Sequence, residues 1–331
     1  MQSFAVDAQQ AGFGGLVVTE SSRTAYLSCA AATLAAPGLD VLTGVAVAFP
    51  RSPMVTAQSA WELAEASQGH FRLGLGSQVR AHVTRRYGAE FEHPGPRLRE
   101  HVEAIRVCFQ AFRGEAVLDY HGSFVELTLL TRDWSPGPIA VPDPPIDVAA
   151  VNPWMLRMAG AVADGVHIHP LGHPGYLRDV ALPNLGRGEA DAPGGKRSPI
   201  TVIVPVLTIV GDTDSERSRW REMVRAQLSF YASTPTYRFI LDAAGYGDLN
   251  PRLRERQKAG DTAGMVDLVD DDVLATFATE ATWDGLADAL RARYAGLADR
   301  LVFYLGGGAW DQDRDSFERF GAVARALAAE R

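Results

Sequence analysis

The stretch GHFRLGLGSQVRAHVTRRYG, Gly69–Gly88, decides how the chain is read. A short apolar run (FRLGLG, Phe71–Gly76) ends on a Gly-x-Gly and passes directly into a polar, helix-forming segment. A strand leading through glycines into a helix is the frame of a dinucleotide-binding fingerprint, which needs a third glycine three positions after the second. Here Gly76 is followed by Ser77, Gln78 and Val79, so that glycine is absent. Only Glu90 or Glu92 stands near the position of the ribose-binding acid. The Rossmann reading is therefore weak, and the segment has to be placed by what surrounds it.

Outward from this point the pattern repeats. LVVTE (Leu16–Glu20), VLTGVAVAF (Val41–Phe49), IDVAAV (Ile146–Val151), GVHIH (Gly165–His169), TVIVPVLTIVG (Thr201–Gly211) and RLVFYL (Arg300–Leu305) read as further strands. Helical patterns alternate with them, as in a parallel α/β sheet. Ser52-Pro53 is an N-cap followed by proline at the first helical position, opening a helix over 53–67. Leu98, Val102, Ile105, Phe109 and Phe112 form one apolar stripe at spacings of three and four, and Gly114 stops it. Trp220, Met223, Val224, Gln227 and Tyr231 mark another helix; Phe317, Phe320, Val323 and Leu327 mark the last. Three inserts separate these units: 116–145, with a hairpin in LDYHGSFVEL; 170–199, rich in Gly and Pro; and 232–280.

The chain of 331 residues is 47% hydrophobic and 22% charged, which is ordinary for a globular protein. A net charge of −8 argues against a nucleic-acid partner. Lys196 and Lys258 are the only lysines. Cys29 and Cys108 supply neither a disulfide framework nor a thiolate metal cluster. With no signal-like start and no run long enough for a bilayer, a cytoplasmic location is expected and no membrane partner. One barrel over residues 1–331 with inserts on its loops fits better than two domains. Seven strands are one short of a (β/α)8 barrel, and only Met1 and Gln2 precede the helical start at 3–11. The expectation is a first strand missing or truncated.

The opening segment resembles the fourth strand and following loop of the bacterial luciferase-like superfamily. AVAFPRSPMVTAQSAWELAEASQG and AAVNPWMLRMAGAVADGVHIH look like its third-strand and fifth-to-sixth-strand blocks. SFYASTPTYR and DGLADALRARYAGLADRL look like an actinobacterial branch dependent on coenzyme F420. The resemblance implies a TIM barrel with coenzyme F420, or alternatively FMN, at the strand ends, acting on a small organic substrate as a homodimer. Gly44 and Val45 would form the bulge, often with a non-prolyl cis peptide, that supports the ring. Gly76, Ser77, Gln78 and Val79 would meet ring and phosphate, and Val151 and Asn152 the turn beneath the cofactor.

The sequence departs from that pattern. Where relatives commonly carry a His, the first visible strand ends in TESSRTAY, so Arg23 occupies the position, and a guanidinium is not a neutral-pH base. Glu20 remains as a strand-end carboxylate, catalytic or paired with an arginine. Asn152 replaces the usual Gly, with Trp154 bulky beside it, and Ser77 is small where luciferases place an arginine, which favours the deazaflavin. These departures keep a cofactor-free barrel, with a non-redox or partner role, in view. His167, His169 and His173 have a spacing that could hold zinc, but only Asp164 stands nearby as a carboxylate; His169 reads better as a pocket hydrogen-bond donor or acid. Arg80 or Arg86 could meet an anionic tail. Trp134, Tyr120, Phe124, Phe230, Tyr231 and Tyr237 would line an apolar substrate site.

Overall fold

A computed structural model describes residues 1–192, 194, 195 and 198–329; Lys196 and the end of the 170–199 insert's tip therefore lie partly outside the described residues. The strands are β1 (Gly15–Val18), β2 (Asp40–Thr43), β3 (Ala46–Val47), β4 (Phe71–Gly76), β5 (Tyr120–His121), β6 (Glu126–Leu127), β7 (Ile146–Ala149), β8 (Gly165–His167), β9 (Thr201–Val210), β10 (Ala278–Ala281) and β11 (Arg300–Phe303). Backbone contacts divide the chain into two compact units: Met1–His167 with Asn184–Thr201, and Ile168–Pro183 with Val202–Arg331.

In the first unit the strands run β1-β2-β4-β7-β8, all parallel, with β3 continuing the β2 run alongside β4. Gly15 faces Asp40, Val41 faces Phe71, Leu73 faces Ile146 and Asp147 faces Gly165. Parallel neighbours need crossover connections, and helices supply them. Helix Pro53–Ala66 starts as its sequence requires: the Ser52 hydroxyl accepts from the Val55 N–H at 3.2 Å. Helix Pro94–Arg113 buries the whole Leu98–Phe112 stripe, and Gly114 ends it at φ 75°. Trp61 stacks on Phe109 at 5.3 Å and meets Phe112 edge-on at 5.5 Å. Each such buried ring contributes about 1.5–3 kcal/mol over exposure. Cys29 and Cys108 are buried free thiols, and burial pushes both up to about 12. The expected hairpin forms from β5 and β6, its turn held by Glu100, which accepts from the Ser123 and Phe124 amides at 2.6 and 2.8 Å.

The second unit is built on β9, with β11 parallel to its first half (Arg300 facing Ile203) and β10 parallel to its second half (Ala278 facing Leu207). β10 corrects the sequence reading, in which residues 278–281 fell in and beside an insert. ATEA has no alternation and little bulk, so periodicity passes over it; Ala278 and Thr279 are nevertheless buried. The 232–280 insert is otherwise helical: a 3-10 turn at Pro235–Tyr237 and the α-helices Arg238–Ala243, Leu249–Lys258, Thr262–Asp267 and Asp271–Phe277. The 170–199 insert, rich in Gly and Pro, is helical from Pro174 to Ala190. The described chain opens on helix Gln2–Ala11, before β1. Among the described residues no helix is long and apolar enough to cross a membrane.

Candidate active site

The strands of the first unit are parallel, so their C-terminal ends share one edge, the end at which barrel active sites are built. Between β2 and β3 the Gly44–Val45 peptide is cis. Gly44 has no room for a side chain, since a Cβ would stand 2.0 Å from Val17 Cγ1. On β4, a Cβ at Gly74 would stand 1.9 Å from the Thr43 carbonyl oxygen and 2.7 Å from His167 Nε2. The Thr43 hydroxyl donates to the Gly74 carbonyl at 2.7 Å and accepts from the Gly74 N–H at 2.8 Å, fixing the two strands at the bulge. A Cβ at Gly76 would meet Val45 Cγ2 at 2.5 Å. The expected bulge and the two glycines of the opening segment thus form one cradle, with Val45 laid over the Gly76 backbone.

Past β4, Gln78 adopts φ 55°, a left-handed conformation uncommon for a residue with a side chain. Its side-chain oxygen accepts from the Val79 N–H at 2.9 Å, and the short helix Arg80–Arg85 follows. Such turns aim successive amides to one side and make anion-binding concavities. Arg80 stacks over Phe91, while Arg86 donates to the Ser21 carbonyl and lies over Tyr87.

Glu20 is held fast. Arg51 donates to it twice, from Nη2 at 2.5 Å and Nη1 at 2.9 Å, and the Val47 N–H donates at 2.7 Å. Its side chain is 3% exposed. Of the two readings open for Glu20, this is the arginine-paired acceptor, tying the end of β1 to β3. Arg23 is exposed. Val151 precedes Asn152, whose side chain turns onto the helix it starts and accepts from the Met155 N–H at 2.9 Å. The bulk expected beside a cofactor is therefore directed elsewhere, and Trp154 packs over Gly95.

Beneath the cradle lies a charged pair the sequence did not single out. Asp147, fully buried on β7, accepts from Arg72 Nε at 2.9 Å and Nη2 at 2.5 Å. His167 Nε2 stands 3.8 Å from Asp147, too far for a hydrogen bond, and has no hydrogen-bond partner among the described residues. Burial holds the His167 ring neutral, lowering its proton affinity. Among the described residues no three His, Cys, Asp or Glu side chains converge as a metal site would.

The second unit brings other candidates together. His169 packs 3.8 Å from the Tyr237 ring and 4.7 Å from Tyr231, ring centre to ring centre. Its Nδ1 accepts from the Leu171 N–H at 3.1 Å, and burial pulls its pKa down to about 3. The Tyr231 and Tyr304 hydroxyls are hydrogen-bonded to one another. Tyr304 was missed in the sequence because RLVFYL reads as strand to its end; the strand stops at Phe303, which makes Tyr304 a strand-end residue. Of the remaining aromatics, Tyr120 and Phe124 lie on the first unit's hairpin and Trp134 is 75% exposed. A groove of about 1060 Å³ on the second unit is lined by Arg221, Arg225, Arg293, Asp271 and Glu280; Arg221 pairs with Glu280 and Arg225 with Asp271, while Arg293 donates to the Ala275 and Thr276 carbonyls.

The profile of the luciferase-like monooxygenase family matches residues 1–300. The chain belongs to the luciferase-like monooxygenase family. An uncharacterized protein of Mycobacterium tuberculosis is 37% identical over 298 residues, 90% of this chain and 87% of that protein. Among solved structures, the coenzyme F420-dependent tetrahydromethanopterin reductase of Methanopyrus kandleri superposes with a TM-score of 0.76 at 19% identity, covering 97% of this chain and 92% of that one. The FMN-bound oxygenating component of 3,6-diketocamphane monooxygenase from Pseudomonas putida gives 0.70 at 16% identity, covering 99% and 93%. The fold is thus α/β with a mostly parallel central sheet, of the luciferase-like TIM-barrel type, and the protein is an oxidoreductase of that family.

Proposed function

We propose that the protein transfers a hydride between coenzyme F420 and a small organic substrate. The observation that carries this is the cradle: the cis Gly44–Val45 peptide, with Val45 over Gly76 and no side chain on either glycine. Such a surface fits a flat ring laid against backbone. Gly44, Val45 and Gly76 would hold the ring, and Ser77 and Gln78 the phosphate at the left-handed turn, which Val79 closes through its bond to the Gln78 side chain. The small Ser77 side chain supports the deazaflavin over FMN, as does the cofactor of the Methanopyrus enzyme. When bound, coenzyme F420 supplies a two-electron hydride at its C5. Val151 and Asn152 offer this site their backbone, since the Asn152 side chain caps its own helix.

The test is isothermal titration with coenzyme F420 and, separately, FMN. Micromolar binding of coenzyme F420 alone is expected. FMN binding alone would move the reading to an oxygenase, and no binding of either would sink the redox reading for this chain. Val45→Trp, which fills the cradle, should abolish the binding.

A homodimer belongs to the same reading. Helix Ala25–Ala35 carries no charged residue and turns Leu27 and Leu34, 75% and 71% exposed, to one side. Sedimentation of the wild type should give a dimer, and Leu27→Glu with Leu34→Glu a monomer; a monomeric wild type would remove the dimer.

A further inference from the structure

A hydride carries one negative charge with its two electrons, so a site that passes hydride to a ring has to answer a change of charge at the ring itself. In the first unit the polar side chains around the cradle are mostly committed. Glu20 is bound by Arg51 and the Val47 amide, Asp147 by Arg72, and the Thr43 hydroxyl by both backbone groups of Gly74. His167 is uncommitted. Its side chain is 10% exposed, and Nε2 is buried with no hydrogen-bond partner among the described residues. A buried polar atom left unpaired calls for an explanation.

The imidazole lies against two glycines of the cradle. A Cβ on Gly74 would stand 2.7 Å from Nε2, and a Cβ on Gly44 would stand 3.4 Å from Cε1 and 3.6 Å from Nδ1. Gly44 is therefore the shared neighbour of this imidazole and of a ring held in the cradle. Two charged groups bear on His167: Asp147 on β7, 3.8 Å from Nε2, and Arg72 on β4, which is paired with Asp147. The bulge from Thr43 to Val45 brings no charge. The carboxylate beside Nε2 favours the single proton of the neutral ring there, which leaves Nδ1, on the Gly44 side, as the basic nitrogen. Burial keeps the imidazole neutral while the pair beside it is balanced.

We propose that His167 is the charge-compensating residue of the cradle, neutral beside the oxidised coenzyme and protonated beside the reduced one. This deepens the hydride-transfer reading and rests on it. A negative charge brought beside a buried imidazole favours the imidazolium, because little water intervenes to screen it. The step balances. As a C–H bond of the substrate breaks and its hydride bonds to C5, the substrate is oxidised by two electrons, the coenzyme is reduced by two, and the ring gains one negative charge. The substrate sheds a proton to solvent, and one proton from solvent bonds to Nδ1. When hydride leaves C5 for an acceptor, Nδ1 returns its proton to solvent.

The experiment titrates the full chain, without oxygen, with oxidised and with reduced coenzyme F420 in two buffers of different ionisation enthalpy, so that protons taken up on binding are counted. The wild type should take up close to one more proton with the reduced coenzyme than with the oxidised one. Its affinity for the reduced form, relative to the oxidised, should accordingly fall by up to about tenfold between pH 7 and pH 8. In His167→Gln the extra proton should vanish, and the affinity ratio should stay within about twofold over that range. With ¹³Cε1-labelled histidine, one of the eight imidazole resonances of the wild type should move to the protonated position on reduction at pH 7.5, above the ordinary pKa of about 6.5. That resonance should be missing from His167→Gln or, should that variant not fold, from His167→Asn. Equal proton uptake with both forms, an extra proton that survives in the variant, or no moving resonance would each overturn the inference and leave the hydride-transfer reading standing. If neither form of the coenzyme binds, both fall together.

Discussion

The strand ends of the two units are furnished in opposite ways. In the first, the carboxylate at the end of β1, Glu20, is locked to Arg51, and deeper in the sheet Arg72 is locked to the fully buried Asp147. In the second, the polar groups are uncharged: the phenols of Tyr304, just after β11, and Tyr231, on helix Asp214–Ala232, and the neutral imidazole of His169. A locked ion pair fixes backbone and offers nothing to a ligand, whereas a phenol pair with a spare proton can reorganise around one. The contrast separates a set of buried, fixed charges from a set of uncharged polar groups packed among rings.

Breaking a fixed charge pair should therefore cost far more stability than altering an uncharged group. Arg72→Met leaves Asp147 as an uncompensated buried charge, and about 3–5 kcal/mol should be lost. Arg72→Met with Asp147→Leu should recover most of it. Tyr304→Phe removes one hydrogen bond between two half-buried residues, and should cost about 1 kcal/mol. Urea denaturation of the variants reads both values. Similar losses for Arg72→Met and Tyr304→Phe would erase the distinction between the two ends.

Acid offers a second way to sharpen it. Burial, with Arg97 nearby, lowers the His101 pKa to about 4, and burial lowers that of His169 to about 3. Both lie below the ordinary value of about 6.5. As pH falls below 6.5 the unfolded chain takes up these protons before the native state does, so stability is complete above that value and declines through the window below it. Each histidine contributes a slope of at most about 1.4 kcal/mol per pH unit, down to its own folded pKa. His101→Gln and His169→Gln should each flatten the decline between pH 6 and pH 4.5 by up to that amount. An unchanged slope in His169→Gln would mean that its ring is wetter than the packing against Tyr237 implies.

How far the sequence could be read follows the same division. The parallel α/β plan was legible because β-runs such as Phe71–Gly76 and stripes such as Leu98–Phe112 carry their periodicity in plain sight. The cis bulge at Gly44–Val45 was legible only through resemblance to a family, since a strand glycine has no composition signal of its own. β10 escaped because ATEA is small and half polar, and its burial comes from its neighbours on β9. The partners of Glu20 and Asp147 escaped for another reason: Arg51 and Arg72 lie 31 and 75 residues away, and only the folded sheet brings them close. Tyr304 was visible as a residue but not as a strand end, a boundary that one or two positions decide.

The smallest effect tests whether Asn152 belongs to the scaffold or to the ligand. Its side-chain oxygen Oδ1 caps helix Pro153–Val162 by accepting from the Met155 N–H, and removing such a cap costs about 0.5–2 kcal/mol. Asn152→Ala should lose about 1 kcal/mol, and Asn152→Ser, which can still cap, should lose less. Because the side chain faces its own helix, coenzyme F420 affinity should be the same in both variants as in the wild type, read by the same titration. A drop in affinity with Asn152→Ala that Asn152→Ser does not restore would show the amide reaching the ligand directly. The turn after β7 would then be furnished for recognition, and it would no longer act through its backbone alone.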